Sequence, residues 1–282
     1  VITITVIDTI APVVSTQAHT AYLDASGSVS IAASDVDNGT ADACGIASMS
    51  VSPASFSCAD VGTNSVMLTV TDNNGNTDSA TAIVTVMDTV SPMAMLQNHT
   101  AYLDASGSVT IDSSDVDNGS NDACGVEFIN LSKVTFGCAD VGPNTVAVTV
   151  VDSNGNSTTA NTTVTIMDTV SPVAIAMDIS IYLNGNGQAS IVPADVDNGS
   201  SDACGIASTD LDTSNFNCAD QGTNPVVLTV TDVNGNSDTA WATVTVIDTI
   251  SPTISTRPHT TYLDANGQAT IEVLDVSSGT SN

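Results

Sequence analysis

Basic residues are almost missing from this chain. Lys133 and Arg257 are the only two among 282 residues, against 31 acids, and the formal net charge is −29. With no basic patch to displace counterions from phosphates, nucleic acid is not expected as a partner, and anionic membrane surfaces are disfavoured for the same reason. No apolar run approaches the roughly 20 residues of a spanning helix, so direct membrane insertion is not expected either. Aromatics make up only 3% of the chain, which leaves Tyr22, Phe56 and their equivalents as the main bulky core candidates. Glutamate is nearly absent, Glu127 and Glu272 being the only two. Long solvated acidic faces use Glu freely, whereas Asp and Asn suit loops that fold back on their own backbone or gather round a cation. So much uncompensated charge makes a compact state repel itself, and bound cations are the simplest remedy. Neither a CxxC motif nor a Cys/His cluster occurs, so zinc is not expected.

What the chain does have is a repeat. Asp35-Val36-Asp37-Asn38-Gly39-Thr40-Ala41-Asp42-Ala43-Cys44-Gly45 returns as DVDNGSNDACG at 115–125 and as DVDNGSSDACG at 195–205, each copy 80 residues after the last. The same offset places Tyr22 over Tyr102, Tyr182 and Tyr262, with no insertion or deletion. Residues 1–10 read as the last strand of a preceding repeat, 11–90, 91–170 and 171–250 as complete repeats, and 251–282 as a partial one. The chain is therefore expected to be an excerpt of a longer array.

Within the first repeat, 28–31, 65–71 and 80–87 carry β-branched residues in short alternating runs bounded by Gly, Asn, Asp and Pro. No stretch carries a helical period. Asp72-Asn73-Asn74-Gly75-Asn76 and its copies at 152–156 and 232–236 join two such runs, with Asn-Gly or its equivalent supplying a tight hairpin. The expected fold class is all-β, a tandem array of small immunoglobulin-like antiparallel β-sandwiches of 80 residues each.

A domain this small buries a modest core, so a covalent staple is expected. Each repeat offers two cysteines: Cys44 and Cys58, Cys124 and Cys138, Cys204 and Cys218. Pairing Cys44 with Cys58 closes a 15-residue loop, worth about 3 kcal/mol in loop-closure entropy. Regular, even usage favours such an internal bridge over a free buried pair or links between repeats. Oxidised cysteines imply an extracellular location.

The succession DNGS-x-DACGI, SFSCADVGTN, VTVTDxNGN and TVTVxDTVSP resembles the hyalin-repeat-like, immunoglobulin-superfamily repeats of giant Bacteroidota cell-surface proteins, SprB-type gliding adhesins among them. The resemblance covers the whole chain, although each repeat here keeps only two cysteines where animal hyalin repeats often have more. It implies export by the type IX system, display as a surface appendage, and a part in adhesion or gliding motility. Asp-Thr-Ile/Val at 8, 88, 168 and 248 looks like the Asp-Ser/Thr-apolar O-glycosylation signal of such proteins, with Thr9, Thr89, Thr169 and Thr249 as candidate acceptors.

In an immunoglobulin-type sandwich the acidic stretch is the B-C loop and 72–76 the F-G loop, both at the pole where the linker 8–12 arrives. Three oxygen-rich segments thus converge at each junction, and Ca²⁺ takes six to eight hard oxygen ligands. The expected ligands are Asp8, Asp35, Asp37, Asp42 and Asp72 in the first repeat. Their equivalents are Asp88, Asp115, Asp117, Asp122 and Asp152, then Asp168, Asp195, Asp197, Asp202 and Asp232. The DxNGN segment also reads as a plain hairpin and fails the EF-hand pattern, since Thr77 and Ile83 stand where its Gly and Glu belong. His19, His99 and His259 share one repeat position, but the third repeat has Ile179 there, so they read as strand residues.

Carboxylate pairs copied into every repeat do not make a glycosidase cleft, and no His accompanies Ser in every repeat to form a triad. The chain is not expected to be an enzyme. The expected function is the structural stalk of a long extracellular filament or adhesin, its partners the adjacent repeats of the same chain. The alternatives are a ligand- or glycan-binding adhesin module that contacts surface glycans, and a fibre or sheath subunit that associates laterally with neighbouring filament chains.

Overall fold

A computed structural model describes residues 2–281; Val1 and Asn282, the outer ends of the first and last segments, lie outside the described residues. In the first repeat the elements run β1 (His19–Tyr22), β2 (Ser28–Ser30), a single helical turn α1 (Ala33–Val36), β3 (Ile46–Ser52), β4 (Ser55–Ser57), a 3-10 turn (Cys58–Asp60), β5 (Gly62–Asp72) and β6 (Thr77–Met87). The series recurs from His99–Tyr102 to Ser157–Met167 and from Ile179–Tyr182 to Ser237–Ile247. The fold is all-β, built of repeated small sandwiches. One layer is a four-stranded sheet ordered β1-β6-β5-β3, and the other pairs β2 with β4.

The sandwich is not wholly antiparallel. β1 runs parallel to β6, His19 opposite Val84 and Tyr22 opposite Met87. In the first and third repeats the edge of the large sheet is thus closed by a parallel strand. The hairpin of β5 and β6 is longer than the alternating runs suggest, extending through Thr71 paired with Thr77.

Alternation decides which residues meet between the layers. Val66, Leu68 and Val70 of β5 and Ala82, Val84 and Val86 of β6 point inward to join Ala21, Leu23, Ile31, Val36 and Phe56 in one core cluster. The third repeat builds the same cluster around Phe216, Leu228 and Val244. The same alternation corrects the expectation for tyrosine. Tyr22 stands between the inward Ala21 and Leu23, so it faces out and is 56% exposed, while Phe56 is 4% exposed. The acidic stretch contributes to the core too: Val36, Val116 and Val196 are fully buried at the ends of their helical turns.

Two ends differ from expectation. Residues 2–10 form no strand, and Ile2, Ile4, Val6 and Ile7 are exposed. In the segment 251–282, Thr253–Thr256 pairs with Ser277–Ser281. Leu263 is exposed there, whereas its equivalents Leu23, Leu103 and Leu183 are buried, and His259 lies outside any strand.

The chain divides into two compact units. One comprises residues 1–101, 110–135 and 142–166; the other comprises 102–109, 136–141 and 167–282. In the second unit, 102–109 and 136–141 cluster with the third repeat, for a reason that lies in the cysteines. Phe56→Ala is expected to destabilise the first repeat by about 3–5 kcal/mol. Tyr22→Ser should stay within about 0.5 kcal/mol of the parent, both measured by urea denaturation.

Candidate functional site at the repeat junctions

Cysteine pairing departs from the internal bridge. Cys58 is bonded to Cys124 and Cys138 to Cys204, each across 66 residues, with Cα atoms 5.1 Å apart. Cys44–Cys58 is therefore corrected to a link between neighbouring repeats, and Cys44 and Cys218 are free and exposed. The physical reason is distance. Cys124 is the counterpart of Cys44 one repeat later, so the residue beside Cys58 is the next repeat's acidic loop. Within one repeat, Cys44 lies beside Asp8 and Asp42 while Cys58 lies beside Gly27, so the two cysteines have different neighbours.

Glycine makes room for this contact. Gly27 ends the turn in which Asp24 Oδ1 accepts the Ser26 and Ser28 N–H groups, and its φ is +72°. A Cβ added there would lie 2.6 Å from Cys58 Sγ and 3.1 Å from Ala123 Cβ. Gly107 faces Cys138 and Ala203 in the same way, at 2.7 and 3.1 Å. The small Ala of each Asp-Ala-Cys-Gly sequence is thus matched by a glycine in the preceding repeat.

The three junction segments do meet. Asn76 Nδ2 donates to the linker carbonyls of Asp8 and Ile10, at 3.2 and 3.3 Å, and Asn156 and Asn236 donate to the carbonyls of Asp88 and Asp168 at 3.3 Å. Asn73 Nδ2 donates to the Cys44 carbonyl at 2.8 Å, tying the F-G turn to the acidic loop. Behind the linker, Val13 bridges to Ala41 and Thr16 to Asp37.

Most of the expected cation ligands are engaged elsewhere. Asp35, Asp115 and Asp195 accept the backbone N–H groups of Ala32, Asp112 and Val192 and close the N-terminus of each helical turn. Asp37, Asp117 and Asp197 accept N–H groups at positions 40, 120 and 200. A hydrogen bond from the Thr40 side chain is the main reason that the Asp37 carboxyl sits below its ordinary value. Asp72 is buried, with Oδ1 accepting Asn74 and Asn76 N–H and Oδ2 accepting Asn76 Nδ2, all at 2.8 Å. Burial raises its pKa, but these hydrogen bonds outweigh burial and hold it below the usual range; Asp232 behaves alike. Asp152 makes the same three bonds. The structure does not gather the five Asp of each expected ligand set into one group. Asp35, Asp37, Asp72 and their equivalents each commit at least one oxygen to local backbone, and Asp72, Asp152 and Asp232 also to the Asn that clamps the linker.

What remains together is smaller. Ligand atoms of Asp8, Asp42 and Cys44 lie within 4.8 Å of one another, as do those of Asp88, Asp122 and Cys124 and of Asp168, Asp202 and Cys204. Asp42, Asp122 and Asp202 each accept a cysteine N–H at 2.7 Å through Oδ1. Asp88 and Asp168 accept the N–H of Val90 and Val170 through Oδ1. Their Oδ2 atoms are buried with no hydrogen-bond partner. At the first junction, by contrast, the Cys44 thiol is pushed up in pKa chiefly by its hydrogen bond to Asp8.

The glycines, the junction asparagines and the Ala of the DACG sequence carry functional weight that sequence reading did not single out. Their signal was their recurrence at the 80-residue offset. Thr9, Thr89, Thr169 and Thr249 are exposed. Among the described residues no helix is long and apolar enough to cross a membrane.

The sequence matches no family model and no curated protein. Solved structures similar to the chain include a protocadherin gammaB4 extracellular domain at 16% identity, covering 92% of this chain and 52% of that one, with a TM-score of 0.34. Sidekick-1 immunoglobulin domains 1–5 match at 11% identity, 85% and 59% coverage and a TM-score of 0.33. Titin domains I67–I69 match at 10% identity, 84% and 98% coverage and a TM-score of 0.35. The chain thus spans about half the length of the protocadherin structure, and likeness of this degree says nothing of what the chain does.

Non-reducing peptide mapping is expected to recover Cys58–Cys124 and Cys138–Cys204 and no Cys44–Cys58. Cys58→Ser should cost about 4 kcal/mol, the loop-closure entropy of a 66-residue span. Asp72→Asn should lower the thermal midpoint of the first unit at neutral pH. A depressed folded-state pKa contributes stability that is complete above the unfolded carboxylate value of about 3.9 and is lost as pH falls through the folded value. The gap between parent and Asp72→Asn should therefore close on acidification through that window, followed by circular dichroism.

Proposed function

We propose that the chain is a stalk segment of a long extracellular surface filament or adhesin, whose repeats are sewn to their neighbours by disulfides. The observation that carries this reading is the reach of Cys58 to Cys124 and of Cys138 to Cys204. A bridge inside each domain would only stabilise that domain, whereas these bridges join domain to domain. They also support an oxidising, extracellular setting. The resemblance to hyalin-repeat-like repeats adds the finer proposal of a giant Bacteroidota surface protein, exported by the type IX system and serving adhesion or gliding. Thr9, Thr89, Thr169 and Thr249 are its proposed O-glycosylation sites, and no catalytic step belongs to this reading. Ca²⁺ at the junctions remains part of it, with the ligand set reduced to Asp88 with Asp122 and Asp168 with Asp202.

Covalent connectivity gives the stalk a specific mechanical property. Tension entering at Cys58 crosses the disulfide to Cys124 and bypasses the 66-residue span between them, including the hairpin of β5 and β6. It then follows the chain from Cys124 to Cys138, 14 residues or roughly 50 Å when extended, before crossing to Cys204. Even unfolded repeats cannot lengthen the path far. Single-molecule pulling on the oxidised chain is expected to lack the full extension of the bypassed spans. Reduction should release roughly 220–240 Å for each bridge. Equal extension before and after reduction would show that the bridges carry no load and would remove the stalk reading.

An exposed tyrosine in each complete repeat, Tyr22, Tyr102 and Tyr182, favours the second reading, a glycan-contacting adhesin module, because such side chains present an apolar face and a polar tip. Binding of the oxidised chain on a glycan array, abolished by replacing the three tyrosines with serine, would select it.

A further inference from the structure

We infer that the outer face of the third repeat's large sheet is a docking surface for a basic, arginine-bearing segment of a partner protein, with Trp241 at its centre.

Trp241 is the chain's only tryptophan. It lies on the strand Ser237–Ile247, where the pleat that sends Ala242 and Val244 into the core turns Trp241 outward, and it is 70% exposed. Its cross-strand neighbour is Val227, which stands between the buried Val226 and Leu228 and so also faces outward, and Pro225 pairs with Thr243 on the same face. Acids border this apolar strip. Asp212 Oδ1 accepts the Val227 N–H at 2.8 Å, and Asp178 Oδ1 accepts the Thr243 N–H at 2.6 Å. Asp210 lies opposite Thr229, which in turn lies opposite Thr239. All three aspartates are exposed.

These four positions change together. Where the third repeat has Asp178, Asp210, Asp212 and Trp241, the first has Ala18, Ser50, Ser52 and Thr81, and the second has Asn98, Asn130, Ser132 and Asn161. Thr81 and Asn161 are exposed as Trp241 is, so the position faces solvent in every complete repeat and the packing of the fold does not call for a large ring there. On a common scaffold, one face of one repeat has turned from neutral and small to acidic and aromatic.

Charge selects the occupant. Residues 171–250 contain no Lys or Arg, so no basic side chain of the repeat meets the three carboxylates. An indole face is the best of the aromatic partners for a cation, and a guanidinium can both stack on it and fork its N–H groups onto a carboxylate. The net charge of −29 steers basic partners toward the chain. A second copy, with one Lys and one Arg against 31 acids, does not supply such a segment. An apolar centre with a charged border is the usual build of a protein-docking patch.

The test titrates the full oxidised chain with a hexa-arginine peptide, followed by tryptophan fluorescence, which reports from this face alone, and by isothermal calorimetry. The Trp241 emission is expected to change and to saturate along with the calorimetric isotherm. Trp241→Thr installs the first repeat's residue without altering the net charge, and in calorimetry it should weaken binding about tenfold. Asp178→Ala/Asp210→Ser/Asp212→Ser should weaken it by a similar factor, with circular dichroism to establish that the sheets persist in both variants. Equal affinity of the parent and Trp241→Thr would mean diffuse attraction to an acidic chain and would overturn the surface. A response of Trp241 to neutral cellohexaose but not to hexa-arginine would make the face a glycan platform and overturn the basic partner. Silence toward both probes would overturn the docking surface and leave the stalk reading standing, since that rests on the disulfides.

Discussion

A carboxylate held by backbone N–H groups within a few residues of itself is the contact on which this molecule depends. It closes the turn at Asp24, the helical turn at Asp35, the loop at Asp37, the cysteine corner at Asp42 and the hairpin at Asp72. Each bond fixes a bend and also lowers the energy of a negative charge that has almost no basic side chain to meet. Asp, the shorter acid, suits the small rings of turns and loops, in keeping with a chain so rich in acid and so poor in Glu. The self-repulsion expected from composition is thus met in good part by main-chain dipoles.

The fold was legible because its signals are local. Alternating Val and Thr in 65–71 and 80–87 can make only a half-buried strand, and a five-residue Asp/Asn/Gly segment between them can make only a tight turn. Two features of the sheet edges were not legible, for one cause. The parallel pairing of β1 with β6 and the unpaired state of residues 2–10 both depend on which strand lies alongside, and composition carries no trace of that. Tyr22 was misassigned for a related reason. Its bulk suggested the core, but its place between Ala21 and Leu23 puts it on the outer face.

The junction was legible as a place and not as a set of bonds. The 80-residue recurrence brought the linker, the acidic loop and the DxNGN turn to one end of the repeat, and they do meet there. Which oxygens stay free is decided by hydrogen-bond geometry within single turns, and sequence spacing cannot count lone pairs. Asp42 and Asp72 look equivalent in the sequence, yet only Asp42 keeps an oxygen close to the linker carboxylate and the cysteine. The disulfide pairing was missed because separation along the chain stood in for separation in space. Fourteen residues that traverse a sandwich carry Cys58 away from Cys44, whereas the next repeat's loop returns to meet it.

That pairing also imposes an order in time. Cys58 has no partner until a loop 66 residues further along the chain has been delivered and folded. In a chain delivered from its N-terminus, Cys58 therefore waits as a thiol until that loop arrives. Oxidation follows the growing end by one repeat.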